Sequence, residues 1–136
     1  MSSPIAVIDF ETTGMMPAQG ARATEVAIVL VEGGHVVDRF QSLMQTGVWI
    51  PPFITRLTGI TNAMVAAAPP AEAVMREAAR FVGGAPMVAH NAAFDSKFWQ
   101  SELRHAGLDA PHPFACTVLL SRRIYPDAPS HSLGRL

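Results

Sequence analysis

The stretch from Ile5 to Gly14 constrains this chain most. Four apolar residues, Ile5 to Ile8, lead directly into Asp9, and Glu11 follows two positions later. A short apolar run that ends at turn-forming residues is typical of a buried strand, on which residues two apart point to the same side. Because carboxylates are seldom buried unless they are paired or bind a metal, Asp9 and Glu11 suggest a site for a hard cation. The alternative is that an acid at the strand end simply caps a turn.

The composition predicts a single soluble globular domain. The chain has 136 residues, of which 49% are hydrophobic and 15% charged, and its net charge is −1. These values exclude a disordered chain and a strongly basic surface, so binding of a polyanion would have to rely on local groups or on metal. The single cysteine, Cys116, excludes an intramolecular disulfide and a cysteine-rich zinc site. Because neither a signal peptide nor a membrane-spanning run is evident, we expect no membrane association and a cytoplasmic location.

Hydrophobic periodicity predicts an α/β fold with a mixed five-stranded sheet, an antiparallel meander plus parallel strands, flanked by helices. The meander is predicted over 4–10, 24–32 and 35–45, with Gly33-Gly34 as the hairpin turn. Further strands are predicted at 86–89 and 114–117. Helices are predicted at 52–57, 71–82, 92–106 and 118–125, and from His131 onward, and Thr61 is predicted to cap a further short helix that ends at Val65.

Asp95 supplies a third carboxylate. If the strand at 86–89 pairs parallel with the first strand, Asp95 and His90 come close to Asp9 and Glu11. A carboxylate in the first turn of a helix is also favoured by the helix dipole alone. Crowded carboxylates repel one another unless a divalent cation neutralises them, and oxygen ligands select Mg²⁺ or Mn²⁺. Glu25, an acid within an apolar strand, is interpreted as an edge residue in preference to a partner near the metals, and Trp49 and Trp99 are interpreted as packing residues in preference to stacking platforms.

Two motifs resemble those of the DEDD (DEDDh-type) 3′–5′ exonucleases, a family that includes the proofreading epsilon subunit of bacterial DNA polymerase III. Asp9-Phe-Glu-Thr-Thr-Gly14 resembles the first motif, and His90-Asn-Ala-Ala-Phe-Asp95 resembles the second. Other matches lie between and after these motifs, in the family's order, at Ile50-Pro51, Leu57-Thr-Gly-Ile-Thr61, Ala68-Pro69, Cys116-Thr117, Leu120-Ser-Arg122 and His131-Ser-Leu133.

The resemblance implies a ribonuclease H-like fold and two-metal hydrolysis that removes nucleoside monophosphates from 3′ ends of single-stranded DNA. RNA is an alternative substrate, and a DNA polymerase subunit is an implied partner. Asp9, Glu11 and Asp95 would be the catalytic metal ligands for Mg²⁺ or Mn²⁺. The residues that would bind the terminal nucleotide are Thr12 and Thr13 beside it, Leu57 and Ile60 on its base, and His90, Asn91 and Phe94 in the pocket wall.

One part of the family pattern is not found in these 136 residues. The family has a fourth acid and a general base, in a His that is followed a few residues later by an Asp, downstream of the position of His131. We therefore expect 1–136 to be a single exonuclease-like domain, truncated before the third motif, with little or no activity of its own. The alternatives are a non-catalytic nucleic-acid-binding or protein-binding module that retains the fold, and another carboxylate-metal hydrolase such as a phosphatase.

Overall fold

The computed structural model describes residues 3–109, 112 and 114–116, and the helices predicted beyond residue 117 lie outside them. The described residues contain a five-stranded mixed sheet with the strand order β3-β2-β1-β4-β5. The strand β2 is antiparallel to both β1 and β3, while β4 runs parallel to β1 and to β5. The predicted fold class is therefore confirmed. The strands are β1 (Ile5–Thr12), β2 (Ala23–Glu32), β3 (His35–Leu43), β4 (Met87–Ala89) and β5 (Phe114–Cys116).

Within the described part of the chain, four α-helices accompany the sheet, and their predicted positions are confirmed to within a residue or two. Thr61 precedes α2 as predicted, and its hydroxyl accepts a hydrogen bond from the Met64 N–H at 3.1 Å. Gly83 ends α3 with a φ of 58°, a conformation that glycine adopts without strain. The helices are α1 (Pro52–Thr58), α2 (Asn62–Ala66), α3 (Ala71–Val82) and α4 (Ala92–His105), and a 3₁₀ turn lies at Pro17–Gln19.

The end of β1 differs from the prediction. The strand continues two residues beyond Phe10, because Thr12 pairs with Ala23 after the register shifts between Glu11 and Thr12. A bulge of this kind re-aims the side chains that follow it and is common beside functional sites. The polar end of β1 is therefore held by the sheet, where the sequence pattern predicted a loop.

The main hydrophobic core lies between one face of the sheet and helices α3 and α4. Alternate β1 side chains such as Ile8 and Phe10 enter this core, where Phe98, Trp99 and Leu103 of α4 are fully buried. Since strand side chains alternate between faces, the other β1 residues, among them Asp9 and Glu11, lie on the opposite face.

A smaller core cluster fixes α1 and α2 to that opposite face. Ile50, Ile60 and Val65 are buried together, with Leu43 of β3 packed against them. Leu43 pairs with Glu25, and Glu25 pairs with Glu11, so the three side chains form a row across one face of the sheet. Leu43 lies two strands away from Glu11, a distance of roughly 10 Å. The cluster packs against Leu43. The helices α1 and α2 therefore flank the acidic end of β1.

Candidate active site

The carboxylate of Asp95 occupies a ladder position beside β1. The pairing of β1 with β4 involves only Ala6 and Val7, so the last residues of β1 extend past the end of β4. The Ala6 N–H donates to Pro86 O at 2.8 Å, and the Phe10 N–H, which points to the same edge, donates to Asp95 Oδ1 at 3.2 Å. Asp95 thus accepts the hydrogen bond that a longer β4 would have accepted. The bond places Asp95 beside Asp9.

The negative charges of Asp9, Glu11 and Asp95 repel one another. Asp95 is only 4% exposed, and burial, followed by the charge of Asp9, raises its pKa to about 7. The Phe10 N–H opposes this rise and the charge of Glu11 adds to it. The pKa of Asp9 is raised by the desolvation of its carboxyl, although the residue retains contact with solvent. The pKa of Glu11 is raised by burial and by Asp9 and Glu25. A bound cation would relieve this repulsion.

Glu25 lies beside the site, although its sequence context favoured an edge position over a position near the metals. The interpretation of Glu25 as an edge residue is wrong, because β2 lies between β1 and β3. It pairs directly with Glu11, an arrangement in which two like charges repel each other. The side-chain amide of Gln41 donates to Glu25 Oε2 at 3.2 Å. Only the strand register shows that Glu25 faces Glu11.

The donor chemistry of Asp9, Glu11 and Asp95 fits a hard divalent cation, because all the candidate ligands are carboxylate oxygens. Burial and, for Glu11 and Asp95, mutual repulsion raise the pKa values of these three carboxyl groups, which is a pattern found at functional sites. Among the residues that the structure describes, however, no three His, Cys, Asp or Glu side chains form a group that could hold a metal ion as they stand. A cation that bound here would therefore have to draw the carboxylates together.

Thr12 and Thr13 are each only 8% exposed, and their hydroxyls take part in the structure of the loop. The Thr12 hydroxyl donates to Gly14 O at 2.6 Å. The Thr13 hydroxyl accepts a hydrogen bond from the Arg22 N–H at 3.0 Å. A nucleotide at this position would therefore meet mainly backbone groups.

The residues predicted to line the pocket wall lie where β4 passes into α4. His90 and Asn91 form the turn after β4. Asn91 is exposed and precedes α4, and its side chain makes no capping hydrogen bond. Phe94 is half-buried, with its ring 4.9 Å from the ring of Phe98. The structure thus brings this turn to the same strand ends as Asp95.

Leu57 and Ile60, both predicted to contact the base, have opposite environments. Leu57 on α1 is 78% exposed, whereas Ile60 is 4% exposed and packs with Ile50 and Val65. The two tryptophans, both predicted to be packing residues, also differ. Trp99 is fully buried, which confirms the prediction, whereas Trp49 is 66% exposed, so that its assignment as a packing residue is wrong.

Comparison with known proteins places these features in a family. Residues 6–136 match the RNase T family model, which describes exonucleases. The 3′-5′ exonuclease DinG of Bacillus subtilis is 40% identical over 96% of this chain, which spans 14% of that relative. The DNA polymerase III subunit epsilon of Aquifex aeolicus is 35% identical over 100% of this chain, which spans 67% of that relative.

Solved structures give the same result for the fold. Exonuclease X in complex with 5′ overhanging duplex DNA aligns with a TM-score of 0.77 and 30% identity, covering 97% of this chain and 70% of that one. The nuclease domain of 3′hExo, a DEDDh family member bound to rAMP, aligns with a TM-score of 0.75 and 21% identity, covering 94% of this chain and 72% of that one. The predicted family resemblance is confirmed. Within the described residues, no helix has the length and apolarity needed to cross a membrane.

Proposed function

Because this chain belongs to the RNase T family of exonucleases, we propose that it removes nucleoside monophosphates from the 3′ ends of single-stranded DNA. The observation that carries the proposal is the Asp95 carboxylate, which is seated on the Phe10 N–H beside Asp9 and close enough to Glu11 to feel its charge. Hydrolysis breaks the bond between phosphorus and the 3′ oxygen of the preceding nucleotide. Water supplies a hydroxyl group to phosphorus and a proton to the released 3′ oxygen.

Asp9, Glu11 and Asp95 would hold Mg²⁺ or Mn²⁺, two ions in the complete site. DEDDh exonucleases generally use divalent metal ions. When bound, such ions neutralise the carboxylates, promote ionisation of water and stabilise a leaving oxygen. The burial of Asp95 and its Phe10 hydrogen bond fix one ligand in advance, which is the part of the site that needs no rearrangement.

The remaining residues position the 3′ end. The backbone of Thr12 and Thr13 lies at the end of β1, beside the carboxylates, and would contact the terminal nucleotide. Leu57, exposed on the helix that flanks this face, would pack against its base. His90, Asn91 and Phe94 would form the opposite wall of the pocket. Ile60 would act indirectly, by supporting α1 from the small core.

The relatives suggest the wider context. One of them is named a subunit of DNA polymerase III, so we propose a polymerase subunit as a partner of the whole protein. The complex of exonuclease X with 5′ overhanging duplex DNA favours recessed 3′ ends as a further substrate. The rAMP bound to 3′hExo is the observation that keeps RNA as an alternative.

The test is a 5′-labelled oligonucleotide, incubated with Mg²⁺ or Mn²⁺ and resolved on a sequencing gel. With a protein that carries this domain together with the family's third motif, we expect stepwise shortening from the 3′ end, release of monophosphates, and no reaction when the 3′ end is absent, as in circular DNA. Asp9→Asn should abolish the reaction, and Asp38→Asn, an exposed acid on β3, is the matched control. Shortening by Asp9→Asn at the wild-type rate would show that the metal assignment is wrong.

The same preparation distinguishes the two alternatives. A non-catalytic module would bind the oligonucleotide and leave its length unchanged, whereas a phosphatase would hydrolyse p-nitrophenyl phosphate and not the oligonucleotide. Metal binding, measured by calorimetry with Mn²⁺, provides a readout that does not depend on turnover. A module would be favoured by oligonucleotide affinity that Mn²⁺ and Asp9→Asn leave unchanged.

A further inference from the structure

A buried ion pair joins α4 to the start of β2, away from the carboxylates of Asp9, Glu11 and Asp95. Arg22 Nε and Nη2 donate to Glu102 Oε2 and Oε1, each at 2.9 Å, so the contact is bidentate. The Ala23 N–H donates to Glu102 Oε2 at 3.0 Å. The side chain of Glu102 is completely buried and that of Arg22 is 15% exposed. The carboxylate of Glu102 is therefore paired with the Arg22 guanidinium and accepts three hydrogen bonds.

Arg22 also closes the loop that carries the two threonines. The Thr13 N–H donates to Arg22 O at 2.9 Å, and the Arg22 N–H donates to the Thr13 hydroxyl at 3.0 Å. These two hydrogen bonds hold together the two ends of the loop spanning 14–21. Because Arg22 is bound to Thr13 through its backbone and to Glu102 through its side chain, it connects the threonine segment to α4.

Glu102 and Asp95 are two anchor points on the same helix. They are seven residues apart in α4, so they lie on one face about 10 Å from each other along the helix axis. Asp95 accepts from the Phe10 N–H of β1, and Glu102 accepts from the Ala23 N–H at the start of β2. The two carboxylates therefore fix both the position and the tilt of α4 relative to strands β1 and β2.

Resting on the proposed function, we propose that the Arg22–Glu102 pair is a positioning clamp. It holds the backbone of Thr12 and Thr13 at a fixed distance from Asp95. A nucleotide bound to this backbone would then lie at a fixed position relative to the carboxylates. Stability alone does not account for such a pair, since buried ion pairs are often no more stabilising than apolar residues of the same volume. Their best-attested use is to specify one arrangement among several.

The test uses Glu102→Gln, which keeps the size of the side chain, and Arg22→Lys, which keeps the charge but loses the bidentate geometry. Glu77→Gln, an exposed acid on α3, is the matched control. Each variant is titrated with Mn²⁺ alone, and then with deoxyadenosine 5′-monophosphate in the presence of Mn²⁺, at a temperature well below its melting point. We expect Mn²⁺ affinity within about twofold of wild type and nucleotide affinity reduced about tenfold or more, because a small misplacement suffices for such a loss.

Non-additivity provides the specific signature. If the two side chains act as one unit, the double variant should lose no more nucleotide affinity than the worse single variant. The proposal is overturned if either folded variant binds the nucleotide as wild type does, even with a lowered melting temperature. If Glu102→Gln does not fold, Arg22→Lys decides alone. Wild-type protein that binds no monophosphate at all would instead overturn the proposed function, and the clamp with it.

Discussion

The buried position of Asp95 and its proposed role as a metal ligand place opposite demands on its side chain. As a neutral acid it would suit its buried position, and as a carboxylate it would serve a metal. Burial and the charge of Asp9 raise its pKa to about 7, while the hydrogen bond from the Phe10 N–H favours the charged form. At neutral pH the metal-free site is therefore divided between two protonation states, and a cation would select the charged one.

The raised pKa predicts a pH-dependent stability for the metal-free protein. Because the pKa of Asp95 is about 7 in the fold and 3.8 for an unperturbed aspartate, the stabilisation is complete below pH 3.8 and is lost as the pH rises to about 7. Asp95→Asn keeps an oxygen acceptor for the Phe10 N–H and removes the charge. We expect this variant to be more stable than wild type at pH 8, by up to about 4 kcal/mol, and similar at pH 4.

Denaturant unfolding in EDTA at several pH values measures this difference. Asp109→Asn, an exposed acid that follows α4, is the control. Equal stability curves for wild type and Asp95→Asn across the range from pH 4 to 8 would contradict the prediction.

Metal affinity should follow the same ionisation. A metal that binds Asp95 must displace its proton at pH values below about 7, so Mn²⁺ affinity should fall by about tenfold per pH unit there and level off above it. Calorimetry in buffers of different ionisation enthalpy counts the protons released. An affinity that does not change between pH 5.5 and 7.5 would show that Asp95 is not a ligand.

At the scale of elements, α1 and α2 form a small unit with a buried side and an exposed side. The buried side consists of Ile60 and its neighbours Ile50 and Val65, while Phe53 and Leu57 project from α1 into solvent. Phe53 and Leu57 are four residues apart, which places them on one face of the helix. An exposed apolar stripe beside an acidic, polar region is suited to base stacking and unsuited to stabilising the fold.

Leu57→Ala and Ile60→Ala are a matched pair that separates these two functions. We expect Leu57→Ala to change the free energy of unfolding by less than about 0.5 kcal/mol, because the Leu57 side chain is already in solvent. The same variant should weaken oligonucleotide binding, because it removes the proposed contact with the base. Ile60→Ala should destabilise the protein by about 2–5 kcal/mol, because it leaves a cavity in the small core.

Chemical denaturation and fluorescence anisotropy with a labelled oligonucleotide, applied to both variants, provide the comparison. Unchanged oligonucleotide affinity in Leu57→Ala would remove Leu57 from the proposed binding site. A folding defect in Leu57→Ala as large as that of Ile60→Ala would contradict the assignment of the two sides of the unit.

At the scale of the molecule, the sheet separates two environments. One face is covered by α3 and α4 and carries the main core, and the other carries the acids, with α1 and α2 at its side. Asp95 belongs to a helix on the first face and reaches the acids only where β4 stops short of the end of β1. Since the proposed metal ligands lie on β1 and α4, metal binding should stabilise the contact between these two elements.

Removal of metal should therefore lower the melting temperature of the whole domain. At a Mn²⁺ concentration of about 100 times the dissociation constant, binding adds about 2.7 kcal/mol to the free energy of unfolding. For a chain of this size we expect the melting temperature to rise by several degrees with Mn²⁺ and to return on addition of EDTA. Asp9→Asn should lose most of the shift, and an equal shift in Asp9→Asn and wild type would locate the metal elsewhere.

Local residue patterns determined much of the fold. The Gly33-Gly34 hairpin, the Thr61 cap and the periodicity of 71–82 all appear in the structure as the sequence predicts. These features depend on neighbours within one or two turns of chain, so the sequence is sufficient to identify them. The order of the motifs likewise identified the family, although the roles of the individual site residues remain predictions.

Only the tertiary structure decided how the polar residues are arranged. The sequence placed Glu25 at an edge and Trp49 in a core, and it gave Leu57 and Ile60 the same role. Strand register put Glu25 opposite Glu11, and the packing of α1 and α2 buried Ile60 while leaving Leu57 and Trp49 in solvent. These outcomes depend on contacts between residues distant in the chain, which no local pattern encodes. Asp9 and Glu11 were evident from one strand, but their setting required the whole sheet and α4.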